Sequence, residues 1–147
     1  MKRFLLMFVA LLTAVGSFAD GKYVVIDGLR FFVRTDTKEA ILFDNSYSGN
    51  ITVPEKITDE GVEYTVTSFA NGCFSGCKSL TSVSIPSSVT SIGGWCFAYC
   101  EELKSITIPS SVTSLGEVCF FDCKSLTSIT IPSSVTSLGR VCFQDCI

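Results

Sequence analysis

CFSGCKSLTSVSIPSSVTSIGGW (73–95), CFAYCEELKSITIPSSVTSLGEV (96–118), CFFDCKSLTSITIPSSVTSLGRV (119–141) and the broken-off CFQDCI (142–147) are one unit written three times and begun a fourth. A fixed period of this length predicts a solenoid, because each unit is too small to bury its own apolar face and gains stability only by stacking on the next.

Within the first unit, Leu80, Val83 and Ile85 stand in the L-x-x-L-x-L spacing of a leucine-rich repeat, and Ser82 and Ser84 alternate outward from a short strand. Their counterparts one period later are Leu103, Ile106 and Ile108, then Leu126, Ile129 and Ile131. Stacking them gives a parallel sheet with one buried face. Pro86, Pro109 and Pro132 end the strand, having no N–H for a ladder, and the Ser-Ser pair after each supplies a polar turn. Val89 and Ile92, repeated as Val112 and Leu115 and as Val135 and Leu138, point inward again from a second extended segment. Gly93, Gly116 and Gly139 end that segment, which predicts a corner with positive φ. The remaining stretch, such as 118–123, has apolar residues at i, i+1 and i+4 and predicts a single helical or 3₁₀ turn on the convex side.

The phrase Ser-Ile-Thr-Ile-Pro-Ser-Ser-Val-Thr-Ser-Leu-Gly at 105–116 resembles the repeat of the BspA-like leucine-rich repeat family of bacterial and protist surface proteins. The likeness is tight over 69–147 and looser before it. It implies a β-rich leucine-rich-repeat solenoid, and a role in adhesion to host matrix and to other cells. The sequence departs from the family at 73, 96, 119 and 142, where cysteine replaces the usual alanine.

Residues 1–19 read as a secretory signal peptide: Lys2 and Arg3, an apolar run from Phe4 to Val15, then Ser17 and Ala19 at the −3 and −1 positions before Asp20. The run is shorter than the roughly 20 residues a bilayer span needs. No cysteine near the cleavage point offers a lipid acceptor. The expectation is an exported protein, in the periplasm, the medium or on the cell surface, with no integral membrane segment after cleavage. Loss of Lys2 and Arg3 takes the net charge from −3 to −5, and no stretch concentrates lysine or arginine, so nucleic acid is not an expected partner.

Residues 20–68 break the period and read as an N-terminal antiparallel β cap, with 69–147 as the repeats. Val24–Ile26, Asp27-Gly28 and Leu29–Val33 predict a tight hairpin, and Ala40–Phe43 a third strand. Ile51-Thr52-Val53-Pro54 matches the later strand phrase, and the extra residues before Pro86 fall in an acidic turn at 58–63. Such a cap keeps the first coil from exposing its apolar cross-section. At the other end Ile147 stands where Lys-Ser-Leu would continue the unit, so the expectation is a C-terminally incomplete array: a fragment of a larger surface protein, or an end covered by another molecule.

The cysteines form two columns, 73/96/119/142 and 77/100/123/146. Cys73, Cys77, Cys96, Cys100, Cys119, Cys123, Cys142 and Cys146 can be read as small buried thiols, as disulfides between neighbouring coils, or as metal ligands. In-register residues point the same way and a curved solenoid spreads its convex side, which favours the thiols. Zinc is disfavoured because tetrahedral sites use pairs converging from separate loops, and the chain has no histidine. That absence also removes the commonest general base, and no phosphate loop or separated carboxylate pair stands out, so neither an enzyme nor a cofactor is expected. Asp122 and Asp145 read as solvated turn residues.

What remains is the outward strand face: Ser82, Ser84, Ser105, Thr107, Ser128 and Thr130. A sheet commonly packs one side and wets the other, yet solenoids also bind partners along their concave side. The reading is a secreted or cell-surface binding module for a protein or glycan, host matrix among the candidates. The alternatives are a structural spacer and, behind it, a thiol redox or metal protein. Asn50-Ile51-Thr52 is a glycosylation acceptor in a eukaryotic secretory pathway.

Overall fold

The computed structural model describes residues 20–146, which form strands and turns with no helix. The expected signal peptide and Ile147 lie outside the described residues. β1 (Gly21–Ile26) and β2 (Leu29–Arg34) pair antiparallel through Asp27 and Gly28, both left-handed at φ 50° and 80°. Two successive positive φ values give the hairpin turn whose twist matches that of the strands. β3 (Glu39–Phe43) pairs antiparallel with β2 on one edge and parallel with β6 (Val62–Phe69) on the other. The handover from hairpin to solenoid therefore happens across β3.

β4 (Gly49–Thr52) pairs parallel with β7 (Leu80–Ser84), bringing Ile51 opposite Val83 and Thr52 opposite Ser84, as the shared strand phrase predicts. The extra residues between Pro54 and Pro86 fold as a second hairpin, β5 (Lys56–Asp59) against the start of β6, with Glu60 and Gly61 left-handed at its tip. Lys22 ties that tip back to β1 by 2.6 Å contacts to Asp59 and Glu60.

From there the coils repeat. β8 (Ser91–Ile92), β10 (Ser114–Leu115) and β12 (Ser137–Leu138) continue the β6 edge in parallel, with Ser68, Ser91, Ser114 and Ser137 in one row. β9 (Ser105–Thr107) and β11 (Ser128–Thr130) pair parallel on the other side, Ile106 facing Ile129. The first-strand sheet is not continuous as expected: it consists of two pairs, β4–β7 and β9–β11, without a ladder between β7 and β9. Bonds persist elsewhere between these two coils, from Phe74 N to Cys96 O, Gly76 N to Ala98 O and Glu102 N to Lys78 O. The coils thus stay joined along the turn and open at the strand, where β7 follows the longer cap coil through β4.

The convex segment corrects two expectations. It is a pair of consecutive turns rather than a helical one, because the residues before each cysteine are left-handed: Gly72 and Gly76, Trp95 and Tyr99, Val118 and Asp122, Val141 and Asp145. Positive φ every fourth residue breaks a right-handed helix before it completes a turn. Alternate N–H groups then serve different ends. Those of Trp95, Phe97 and Tyr99 donate to the next coil at Glu117, Cys119 and Phe121, while those of Ala98 and Cys100 close the local turns. The second correction concerns Gly93, Gly116 and Gly139, none of which has positive φ. A Cβ on Gly93 would lie 2.6 Å from the Asn71 backbone nitrogen, and one on Gly116 would overlap the Gly94 backbone. Glycine is required there by close approach of successive backbones.

Inside, Phe74, Phe97, Phe120 and Phe143 form a spine of nearly parallel rings with centroids 5.1, 5.2 and 5.4 Å apart. Leu80, Leu103 and Leu126 are buried along the same core. At the cap the spine is closed by Phe69, edge-on to Phe74, and by Tyr47, whose ring lies 5.2 Å from Phe74 and whose hydroxyl donates to Phe43 O.

Candidate functional site

The first strands set the outward face by simple alternation: Val83 and Ile106 are buried, while Ser84, Ser105 and Thr107 are exposed. Ser128 and Thr130 are exposed on β11, and Ser82 is half-buried. All six expected hydroxyl residues therefore lie on one side, distributed over two strand pairs. Where the ladder parts between β7 and β9 the face holds a shallow, open cleft of about 420 Å³, lined by Ser82, Ser84, Ser105 and Thr107 together with Val83 and Ile106. Ser128 and Thr130 lie outside it.

The cap extends this face, which sequence reasoning missed. Asn50 on β4 accepts hydrogen bonds on Oδ1 from the hydroxyls of Thr81 and Ser82, at 2.7 and 2.8 Å. Ser82 thus has its proton committed, whereas Ser84, Ser105 and Thr107 stand free for a ligand to the extent that they are exposed. A second hollow of about 260 Å³ lies beside Asn50 and Thr52, against Ile26 and Leu29 of the β1–β2 hairpin. The signal was present in the match between Ile51-Thr52-Val53-Pro54 and the later strand phrase, which places Asn50 and Thr52 in the hydroxyl rows.

The cysteines sit within the turn stack, not bonded to one another and buried except for the half-buried Cys146. Their two columns behave differently. Cys100, Cys123 and Cys146 donate S–H to the carbonyls of Phe74, Phe97 and Phe120 in the preceding coil, at 3.1, 3.1 and 2.9 Å. Sequence spacing gives no hint of these bonds, because the partners are a carbonyl and a thiol 26 positions apart. In the other column the thiols touch each other. Burial and a contact with Cys73 push Cys96 well up, while Cys142, accepting from Cys119, is drawn down. Burial takes Cys123 up to about 12, and it also raises Cys77 and Cys100. Thiols held protonated this way are poor nucleophiles.

Two groups of ion pairs lie in the turn segments. Asp122 sits on its left-handed turn 3.3 Å from Lys124, and Glu101 reaches Lys78 at 3.1 Å. Lys78 holds the Glu101 carboxyl below its usual range. Among the described residues, no group of three or more Cys, Asp or Glu side chains is arranged to hold a metal, and no helix is long and apolar enough to cross a membrane.

Comparison with known proteins agrees with this geometry. The profile of the BspA type leucine rich repeat region matches residues 39–147 in six copies, reaching back to β3. A leucine-rich repeat protein of Bacteroides capillosus is 34% identical, with a TM-score of 0.71 over 79% of this chain and 86% of that one. A leucine-rich repeat protein of Bacteroides ovatus is 28% identical, with a TM-score of 0.67 over 90% of this chain but 33% of its own length. The pneumococcal vaccine antigen PcpA shares the fold at 16% identity, with a TM-score of 0.61 over 86% of this chain and 48% of that one. No curated protein matches the sequence.

Proposed function

The chain belongs to the BspA type leucine rich repeat family, and on that premise we propose that it is an exported, surface-displayed adhesion module whose hydroxyl face takes up a protein partner. Repeat proteins of this kind are typically binding modules without catalysis, and binding along the stacked strands is their usual mode. The observation that carries the reading is the cleft between β7 and β9. It brings Ser84, Ser105 and Thr107 beside Val83 and Ile106 at an internal break in the first-strand sheet, where β7 and β9 share no ladder. An extended peptide or a side chain of a matrix protein would meet hydroxyls, apolar contact and backbone donors together.

Export is part of the proposal, with residues 1–19 removed as a signal peptide, 20–68 as cap and 69–147 as repeats. So is the state of the cysteines: eight thiols that remain reduced because packing hides them. Thiol titration of the folded chain checks this, with two or more disulfides per molecule as the contrary result. The binding claim is tested by retention of the chain on immobilised fibronectin, fibrinogen and collagen, beside a variant carrying Ser105→Lys and Thr107→Lys. Both positions are exposed, so the variant keeps its fold. Loss of retention in the variant supports the face as the site. Equal retention, or none by either chain, goes against it.

A further inference from the structure

The repeat is nearly invariant on its strands and varies on its turns, and one turn position stands apart. Trp95 and Tyr99 occupy the two left-handed positions that the preceding coil fills with Gly72 and Gly76, and Phe121 stands where the other coils have Ser75, Ala98 and Gln144. The three rings meet across two coils: Trp95 to Tyr99 at 6.5 Å with planes 26° apart, Trp95 to Phe121 at 6.2 Å, and Tyr99 to Phe121 at 5.3 Å edge-on. Trp95 is 46% exposed and Tyr99 37%, so the cluster lies at the surface rather than in the core. Non-glycine residues hold these left-handed positions in three of the four coils, as Val118 and Asp122 and as Val141 and Asp145 elsewhere, and only at 95 and 99 are both aromatic.

We propose that this aromatic platform is a carbohydrate-binding site, separate from the hydroxyl face, taking the apolar face of one or two pyranose rings. Size favours a sugar over a protein. Three rings on two turns offer far less than the roughly 800 Å² per partner of a standard protein interface. Chemistry favours it as well. A pyranose presents C–H groups of positive character on its flat side, complementary to the negative face of an aromatic ring, and hydroxyls around its edge. Polar groups border the platform to receive those hydroxyls: Asp122 one coil on from Tyr99, its partner Lys124, and Glu101 within 3.7 Å of Lys124. The near-parallel Trp95 and Tyr99 supply the stacking surface, while Phe121 braces Tyr99 from the next coil.

The single tryptophan of the sequence makes the test direct, since its fluorescence reports on this platform alone. The full chain is titrated with neutral oligosaccharides: β-1,4-, β-1,3- and α-linked glucans, xylan, mannan and chitin oligomers. The expected result is a saturable change in emission for at least one class, at a dissociation constant of about 1 mM or tighter. Retardation of the chain in gels containing the corresponding polysaccharide should accompany it. Trp95→Gly with Tyr99→Gly should abolish the retardation while leaving the melting temperature unchanged or raised, because that turn would then carry the residues already accepted at Gly72 and Gly76. Ser105→Lys with Thr107→Lys should leave the titration unchanged. No emission change with any saccharide overturns the proposal. So does retardation that survives the double glycine variant, or a protein ligand lost by that variant in the absence of any saccharide effect.

Discussion

The last two coils carry the same residues in different surroundings. Ser-Val-Thr-Ser-Leu-Gly occurs at 111–116 and again at 134–139, yet Leu115 is 2% exposed and Leu138 53%. Phe120 is buried and Phe143 half-buried on the same spine, and Val141 lies 50% exposed. At the N-terminal end the opposite has been arranged. Phe31, Val33, Ala40 and Leu42 of the cap are buried, and Phe69 and Tyr47 close the spine against Phe74. Apolar residues in this molecule are therefore stabilising only in proportion to the coil that covers them, the behaviour of a one-dimensional stack with nearest-neighbour coupling.

The comparison can be broken most sharply at the spine. Phe97→Ala should cost about 4 kcal/mol in urea denaturation, since it removes a ring stacked on both sides. Phe143→Ala should cost about 1 kcal/mol, because that ring has a neighbour on one side only among the described residues. Equal losses would mean that the stack unfolds without regard to position. At the strand pair the same logic gives about 3 kcal/mol for Leu115→Ala and less than about 0.5 kcal/mol for Leu138→Ala.

The thiols sharpen the comparison through pH. Cys123, in the interior, has its folded pKa raised from 9.0 to about 12, so the stabilisation of its neutral form is fully present below pH 9 and is lost as pH rises towards 12. Each such thiol contributes a slope of about 1.4 kcal/mol per pH unit within that window. Cys142, in the last described coil, is shifted downward by its contact with Cys119 and works in the opposite sense. Stability measured from pH 8 to 12 should fall, and Cys123→Ala should reduce the slope. A flat profile would show that the interior thiols are not held neutral.

Much of this was legible in the sequence. The period fixed the row of leucines, the prolines fixed the strand ends, and Asp27-Gly28 fixed the first hairpin, because each is a local requirement written in residue type. The match of Ile51-Thr52-Val53-Pro54 located a cap strand in advance. What stayed hidden depends on neighbours in space. Gly116 reads as a corner with positive φ until the backbone beside it is seen, and the meeting of Trp95 with Phe121 needs the next coil in place. The helical turn was misjudged because apolar spacing of i, i+1 and i+4 fits it, while the glycines at 72 and 76, the one direct sign of left-handed backbone, occur in a single coil. The alternation that puts Ser84, Ser105 and Thr107 on the outward side of their strands was legible from residue type alone. The cleft was invisible, since nothing in a perfect 23-residue step between Leu80 and Leu103 foretells a missing ladder.

Amide hydrogen exchange at Gly116 and Gly139 tests the central claim most directly. Both N–H groups make the same 2.9 Å bond, to Ile92 O and to Leu115 O, within identical local sequence. If covering by the next coil sets local stability, Gly116 should exchange roughly 100-fold more slowly than Gly139. Equal protection at the two glycines would contradict it.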